Sequence, residues 1–277
     1  MGLFSRKTEG DPAAHGERPL SHPSGKPLLP VILQDLEAGA EYQRSLMPQQ
    51  PPQLAGYDFA YFFKPARSMS GDFFDFLPVD PTRMGIVVAD ASGKGVPASL
   101  LAVMCQLCFR ARPDPAATPA AALSAVNAML HGNVKRGTFL TGIYAVLDAA
   151  RHSLSMANAG HLPAVVWHSR QKIATAHRSN GPVLGVLGPA QFESSVNEEH
   201  VALSPGDRFV LFTDGMNEAM APGQKEFGME HLRKRLMAQS DGPSVDFLRD
   251  LTSQLELHAG GGEQSDDITI VTGRRLA

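Results

Sequence analysis

Residues 84–104 read MGIVVADASGKGVPASLLAVM, and this stretch decides how the rest of the chain is read. An apolar, β-branched run stops on Asp90, a turn of small residues follows, and a helical pattern with Pro97 near its start then begins. Such an Asp is often only a turn former or a helix N-cap. The same local grammar recurs, however. Asp72 lies in SMSGDFFDF (68–76), Asp214 ends RFVLFTD (208–214), and Asp266 with Asp267 opens SDDITIV (265–271). Each carboxylate sits where an apolar strand meets a turn containing Gly or Ser, and such positions can converge at one edge of a layered sheet fold. Converging carboxylates repel and raise one another's pKa unless a cation neutralises them. Mg²⁺ and Mn²⁺ prefer such oxygen ligands, and two of them about 3.5–4 Å apart can activate water and clamp a phosphoryl group. Spacing alone does not show convergence. Asp148 in VLDAA and Asp207 in SPGDR fit ordinary hairpin turns and have no partner motif.

Working outward, strand-like runs arrive in two batches. YDFAYFFKPA, DFFDFLPV and MGIVVAD come first, then helices over 96–111 and from Pro115 to about 132. FLTGIYAVLD, SLSMANA, LPAVVWHS and KIATAHRS follow at close intervals and predict an antiparallel meander. A Pro-Gly-Asp turn leads into the apolar strand ending at Asp214, helices fit 225–238 and 243–258, and ITIVTG closes the pattern. Strands in batches with clustered helices indicate α+β layers rather than alternating βαβ units. Residues 1–30 are rich in Gly, Pro, Ser and charge, and are expected to be a flexible tail. An amphipathic helix is expected over 31–47 and a Pro-rich linker to residue 56, with the main domain over 57–275.

At 277 residues with 43% hydrophobic residues the chain can bury a sizeable core, and a formal net charge of -3 gives no basic footprint for nucleic acid. No run reaches the roughly 20 apolar residues of a membrane span, and no secretory signal is legible, which leads us to expect a cytoplasmic protein. Cys105 and Cys108 stand three apart in a helical segment without a second pair or a neighbouring His, so core packing is expected of them rather than a redox or metal site.

Seven motifs, SGDFFDF, VVADASGKGVPASLL, FLTGIYAVLD, MANAGHLP, GPVLGVL, LSPGDRFVLFTDGMNEA and SDDITIV, stand in this order over about 57–274. Together they resemble the bacterial SpoIIE/RsbU-type serine phosphatases, a branch of the PPM superfamily of metal-dependent protein phosphatases. The Ser-Gly-Lys-Gly turn alone lacks the GxxxxGK[ST] frame of a nucleotide loop. The resemblance implies a four-layer α-β-β-α sandwich with two central antiparallel sheets and two Mn²⁺ or Mg²⁺ ions at one edge. It implies that Asp72, Asp90, Asp214 and Asp266 form the catalytic, metal-holding set, with Asp90 bridging and Ala91 offering its carbonyl; Asp267 is either an accessory ligand or a cap. The expected reaction is hydrolysis of phosphoserine or phosphothreonine on a partner protein, by analogy a STAS-type anti-sigma-factor antagonist in a partner-switching pathway. A PPM-fold binding module without turnover and a small phosphate-ester hydrolase are the competing readings.

The chain departs from the family at Ser70, where many members have Gly, and at Ser92, where eukaryotic relatives carry His. Lys94 either meets substrate phosphate or faces solvent. His161 either contacts phosphate or ties two strands as a hydrogen-bonded turn residue, and Asn158 shares that ambiguity. The 31–47 helix would mediate homodimerisation, receive a separate regulator, or only pack on the core.

Overall fold

The computed structural model describes residues 28–277. Residues 1–27 of the expected tail lie outside the described residues. In chain order the elements are α1 (Leu28–Leu46), β1 (Tyr57–Lys64), β2 (Asp72–Asp80), β3 (Arg83–Ala91), α2 (Val96–Arg110), α3 (Pro119–Leu130), β4 (Leu140–Asp148), β5 (Ser153–Ala159), β6 (Ala164–His168) and β7 (Ile173–His177). They continue with α4 (Pro189–Ser195), β8 (Glu198–Ala202), β9 (Arg208–Phe212), α5 (Asp214–Asn217), α6 (Gly228–Gln239), α7 (Ser244–Ala259) and β10 (Ile268–Arg275).

Two five-stranded antiparallel sheets result, one in the order β1-β10-β9-β6-β7 and the other β2-β3-β4-β5-β8. Helices α2 and α3 cover the second sheet, and α6 and α7 cover the first. The chain is therefore the expected α-β-β-α sandwich. Strand β9 shows why residues 209–212 are all apolar: Phe209 and Leu211 enter the core between the sheets, while Val210 and Phe212 enter the core under α6 and α7. A central strand covered on both faces needs no polar alternation.

Three local expectations are corrected. The four runs from 139 to 179 are not one meander, because β4 and β5 pair in the second sheet whereas β6 and β7 pair in the first. The chain changes sheets at Gly160–Pro163, where Gly160 takes φ 69 and Pro163 has no N–H to donate. Likewise the turn at Asp207 joins β8 in one sheet to β9 in the other instead of closing a hairpin. Its carboxylate accepts from Ser204 N and Ser169 N, each at 2.8 Å, which holds that crossing. Helix α3 begins at Pro119, capped by Thr118, and not at Pro115; Asp114 instead closes a turn by accepting from Ala116 N at 2.8 Å. Cys105 is buried and Cys108 half-buried, both as free thiols in α2.

Candidate metal centre

Asp72 and Asp90 are register partners on adjacent strands β2 and β3, so the pairing of the strands itself sets the two carboxylates side by side. Gly71 keeps that corner tight: its N–H donates to Asp267 Oδ2 at 2.7 Å and its carbonyl accepts from Ala91 N at 3.1 Å. A Cβ there would stand 3.2 Å from the Ala91 carbonyl and 3.3 Å from Ala98 Cβ. Ser70 is not in the left-handed region, so its side chain is accommodated, and its Oγ accepts from Asp72 N at 3.0 Å.

Asp72 is buried and reaches across to the other sheet. Its Oδ2 accepts from Thr213 Oγ1 and Thr269 Oγ1, both at 2.7 Å. Thr213 directly precedes Asp214, which opens α5, and Thr269 lies on β10 just beyond Asp266 and Asp267. One carboxylate from the second sheet is thus tied to the two strand ends of the first that carry the other acidic residues. Asp90, Asp214 and Asp266 line one open cavity of about 700 Å³, together with Ala91, Lys94 and His161.

Burial pushes the Asp90 carboxyl up to about 7, with the neighbouring charges of Asp214 and Asp266 adding to it. Burial, then the Asp90 charge, raises Asp72 well above the usual carboxylate range. Asp214 is also raised, by burial first and Asp266 second. These shifts record like charges held close in a low-dielectric corner, a cost that a bound divalent cation removes. The donor set fits a hard cation, being made of carboxylate and backbone oxygens without thiolate. Among the described residues, no three His, Cys, Asp or Glu side chains stand poised around one ion as placed. Asp72 is turned to its threonines, and Asp266 accepts from Lys94 Nζ at 2.8 Å.

The remaining sequence candidates are placed as follows. Lys94 also donates to Ser265 O at 2.7 Å, so its ammonium bridges the glycine-flanked turn to the Asp266 loop. Thr141 Oγ1 is 2.8 Å from His161 Nδ1, and His161 Nε2 is 3.1 Å from Phe212 O. A carbonyl only accepts, so Nε2 carries the proton and Nδ1 accepts from the threonine. Burial lowers this imidazole to about 4. Asn158 Nδ2 donates to His161 O and Leu162 O, each at 3.0 Å, closing the turn where the chain changes sheets. Asp267 caps the backbone at Ala66 N and Gly71 N, both at 2.7 Å, and Ser92 Oγ accepts from Phe139 N at 2.9 Å. Thr213, Thr269, Glu218 and Arg178 were not singled out from sequence. Both threonines adjoin the acidic motifs, but a threonine in or beside a strand gives no signal of its own.

The profile of the Stage II sporulation protein E (SpoIIE) family matches residues 80–276. The chain is 30% identical over 187 residues to the phosphoserine phosphatase RsbU of Bacillus subtilis (strain 168), covering 68% of this chain and 54% of that one. It superposes on the SiaA-PP2C domain of Pseudomonas aeruginosa with a TM-score of 0.78 at 22% identity, covering 89% of this chain and 98% of that domain. RsbX in complex with magnesium aligns with a TM-score of 0.59 at 16% identity, covering 81% and 98% of the two chains. The chain spans about half the length of the relatives it matches in sequence.

Proposed function

The chain belongs to the SpoIIE family, and from that premise we propose that it is a metal-dependent phosphatase acting on phosphoserine or phosphothreonine of a partner protein. The observation that carries this reading is the meeting of strand-end carboxylates from both sheets: Asp90, Asp214 and Asp266 open onto one cavity, and Asp72 is tied in behind them. Asp72, Asp90, Asp214, Asp266 and the Ala91 carbonyl would hold two Mn²⁺ or Mg²⁺ ions. Bound there, such ions supply Lewis acidity toward the phosphoryl oxygens and make water a competent nucleophile near neutral pH.

The protein's own groups prepare that chemistry. Thr213 and Thr269 fix the rotamer of Asp72, and the Asp267 cap fixes the backbone that presents it. Lys94, released from Asp266, would offer a cation to the substrate phosphate. His161 is neutral at pH 7 with both ring nitrogens engaged, so it ties β4 to the end of β9 and thereby positions Asp214. The thiols take no part, because burial raises the pKa of Cys105 well above its usual value and Cys108 is raised for the same reason.

For the substrate we propose a phosphorylated STAS-type anti-sigma-factor antagonist, in line with the likeness to RsbU. For α1 we propose contact with a second copy or a separate regulator: Ala40, Gln43 and Met47 pack on the core, whereas Leu29, Ile32, Leu33 and Tyr42 are exposed. Among the described residues no helix is long and apolar enough to cross a membrane, and a cytoplasmic location is part of the proposal.

The test is phosphate release from a phosphoserine protein and from para-nitrophenyl phosphate, each with Mn²⁺ and with chelator. Mn²⁺-dependent turnover that favours the protein substrate is expected. No turnover on either substrate would favour a binding module, and preference for the small ester would favour a small-ester hydrolase.

A further inference from the structure

Two cationic side chains line the acidic cavity, Lys94 and Arg178. Lys94 is committed to Asp266 at 2.8 Å and to the Ser265 carbonyl. Arg178 is exposed and makes no ion pair among the described residues. It shares the cavity with Asp90, Asp214, Asp266 and Glu218 and bonds to none of them, which leaves its donors available to a ligand.

The backbone at Arg178 is well fixed. Arg178 follows β7 and opens the segment 178–183, which ends in the Leu184–Leu140 bridge, with bonds of 2.8 and 3.2 Å in the two directions. Ser179 is buried, Asn197 N donates to Asn180 O at 3.2 Å, and Gly181 packs so closely that a Cβ would fall 2.1 Å from Asn158 O. Arg178 thus lines the cavity from a wall whose other contributor is the turn over residues 158–162, tied to both sheets through Asn158 and His161. Its planar fork of donors matches the oxygens of a phosphate bidentately, and it is more weakly hydrated than an ammonium. The buried carboxylates serve a cation; a dianionic phosphomonoester needs donors on another side.

We propose that Arg178 is a phosphoryl-binding residue, which grips the phosphate of phosphoserine from the 178–181 wall. This rests on the phosphomonoester reading above and adds a group that no acidic motif includes. Because the side chain is exposed and has no ion-pair partner among the described residues, its substitution is expected to leave folding intact.

The experiment uses the Mn²⁺-loaded full chain and a fluorescent peptide carrying the non-hydrolysable phosphonate analogue of phosphoserine, with the unmodified Ser peptide as control. Arg178→Ala is expected to weaken phosphonate-peptide binding about tenfold or more, the scale of a charge-assisted hydrogen bond. Arg178→Lys should recover part of the loss, and the Ser peptide should bind the same to all three proteins. With para-nitrophenyl phosphate, KM should rise by a similar factor in Arg178→Ala. Unchanged phosphonate binding in Arg178→Ala, or no preference of the wild type for phosphonate over Ser peptide, would overturn the assignment. So would a loss confined to the peptide with the small-ester KM unmoved, which would place Arg178 against a flanking residue. A wild type that binds phosphonate through Arg178 but releases no phosphate from any substrate would refute the phosphatase reading and leave this one standing.

Discussion

Asp90 carries the largest electrostatic burden of the cavity-lining residues, being raised to about 7 by burial and by the charges of Asp214 and Asp266. Removing its charge relieves that burden. Asp90→Asn is therefore expected to melt no lower than the wild type in chelator, and to lose the increase in melting temperature that Mn²⁺ gives the wild type. Differential scanning fluorimetry with and without Mn²⁺ checks both. His161 gives a second prediction. Its folded pKa, about 4, lies below the unfolded value near 6.5, so the unfolded chain binds the extra proton first as pH falls. Its contribution to stability is full above about pH 6.5 and is lost as pH falls toward 4. Urea unfolding across that window should show a steeper loss for the wild type than for His161→Gln, and parallel curves would contradict it. The four aspartates were legible from sequence because each interrupts an apolar strand beside small residues. Thr213 and Thr269 were not, because a threonine in or beside a strand is ordinary β-former chemistry and only the folded partner, Asp72, gives it a task.

At the scale of elements, α1 is anchored to the corner that carries Asp72 through Gln43. Gln43 Nε2 donates to Ser70 O at 2.7 Å and Gln43 Oε1 accepts from Ser70 N at 3.0 Å, directly before Gly71 and Asp72. Arg110 reinforces the junction, donating to Asp75 Oδ2 from Nε and to the Leu46 carbonyl from Nη2, each at 2.6 Å. Gln43→Ala leaves a buried N–H and C=O unpaired and is expected to cost about 1–3 kcal/mol in equilibrium denaturation. It should also weaken Mn²⁺ binding measured by calorimetry, since the Ser70 backbone holds the loop that presents Asp72. Equal stability and equal affinity would show that the clamp is incidental. Most strands were readable from their β-branched and aromatic runs, but β8, with the sequence EEHVA, was not, and neither was the distribution of strands between sheets. What sends the chain across at residues 160–163 is a positive φ, the local bonds of Asn158 to the His161 and Leu162 carbonyls, and the reach of His161 to the distant Phe212 carbonyl, and alternation along a strand does not encode which sheet receives it.

Over the whole molecule, the sandwich exists to bring the ends of β2 and β3 against the ends of β9 and β10, and the Asp72 bonds to Thr213 and Thr269 are where the two sheets meet at that edge. The strand batches indicated α+β layers and the family resemblance supplied their order, while the coverage of residues 209–212 on both faces is what the folded molecule adds. Assembly is a separate question at this scale. If the outer face of α1 pairs two copies, light scattering should give twice the chain mass for the wild type and a single chain mass for the double variant Ile32→Glu, Leu33→Glu; one chain mass for both would end the proposal. The central claim is that carboxylates from both sheets jointly hold the ions that carry out hydrolysis. The most direct measurement is Mn²⁺ binding and phosphate release from a phosphoserine protein by the wild type, Asp90→Asn and Asp214→Asn side by side. Each substitution is expected to weaken Mn²⁺ binding and to lower turnover by about a hundredfold or more, the scale of losing several kcal/mol of charge stabilisation. Wild-type turnover that survives chelation, or variants that bind Mn²⁺ and release phosphate as the wild type does, would contradict it.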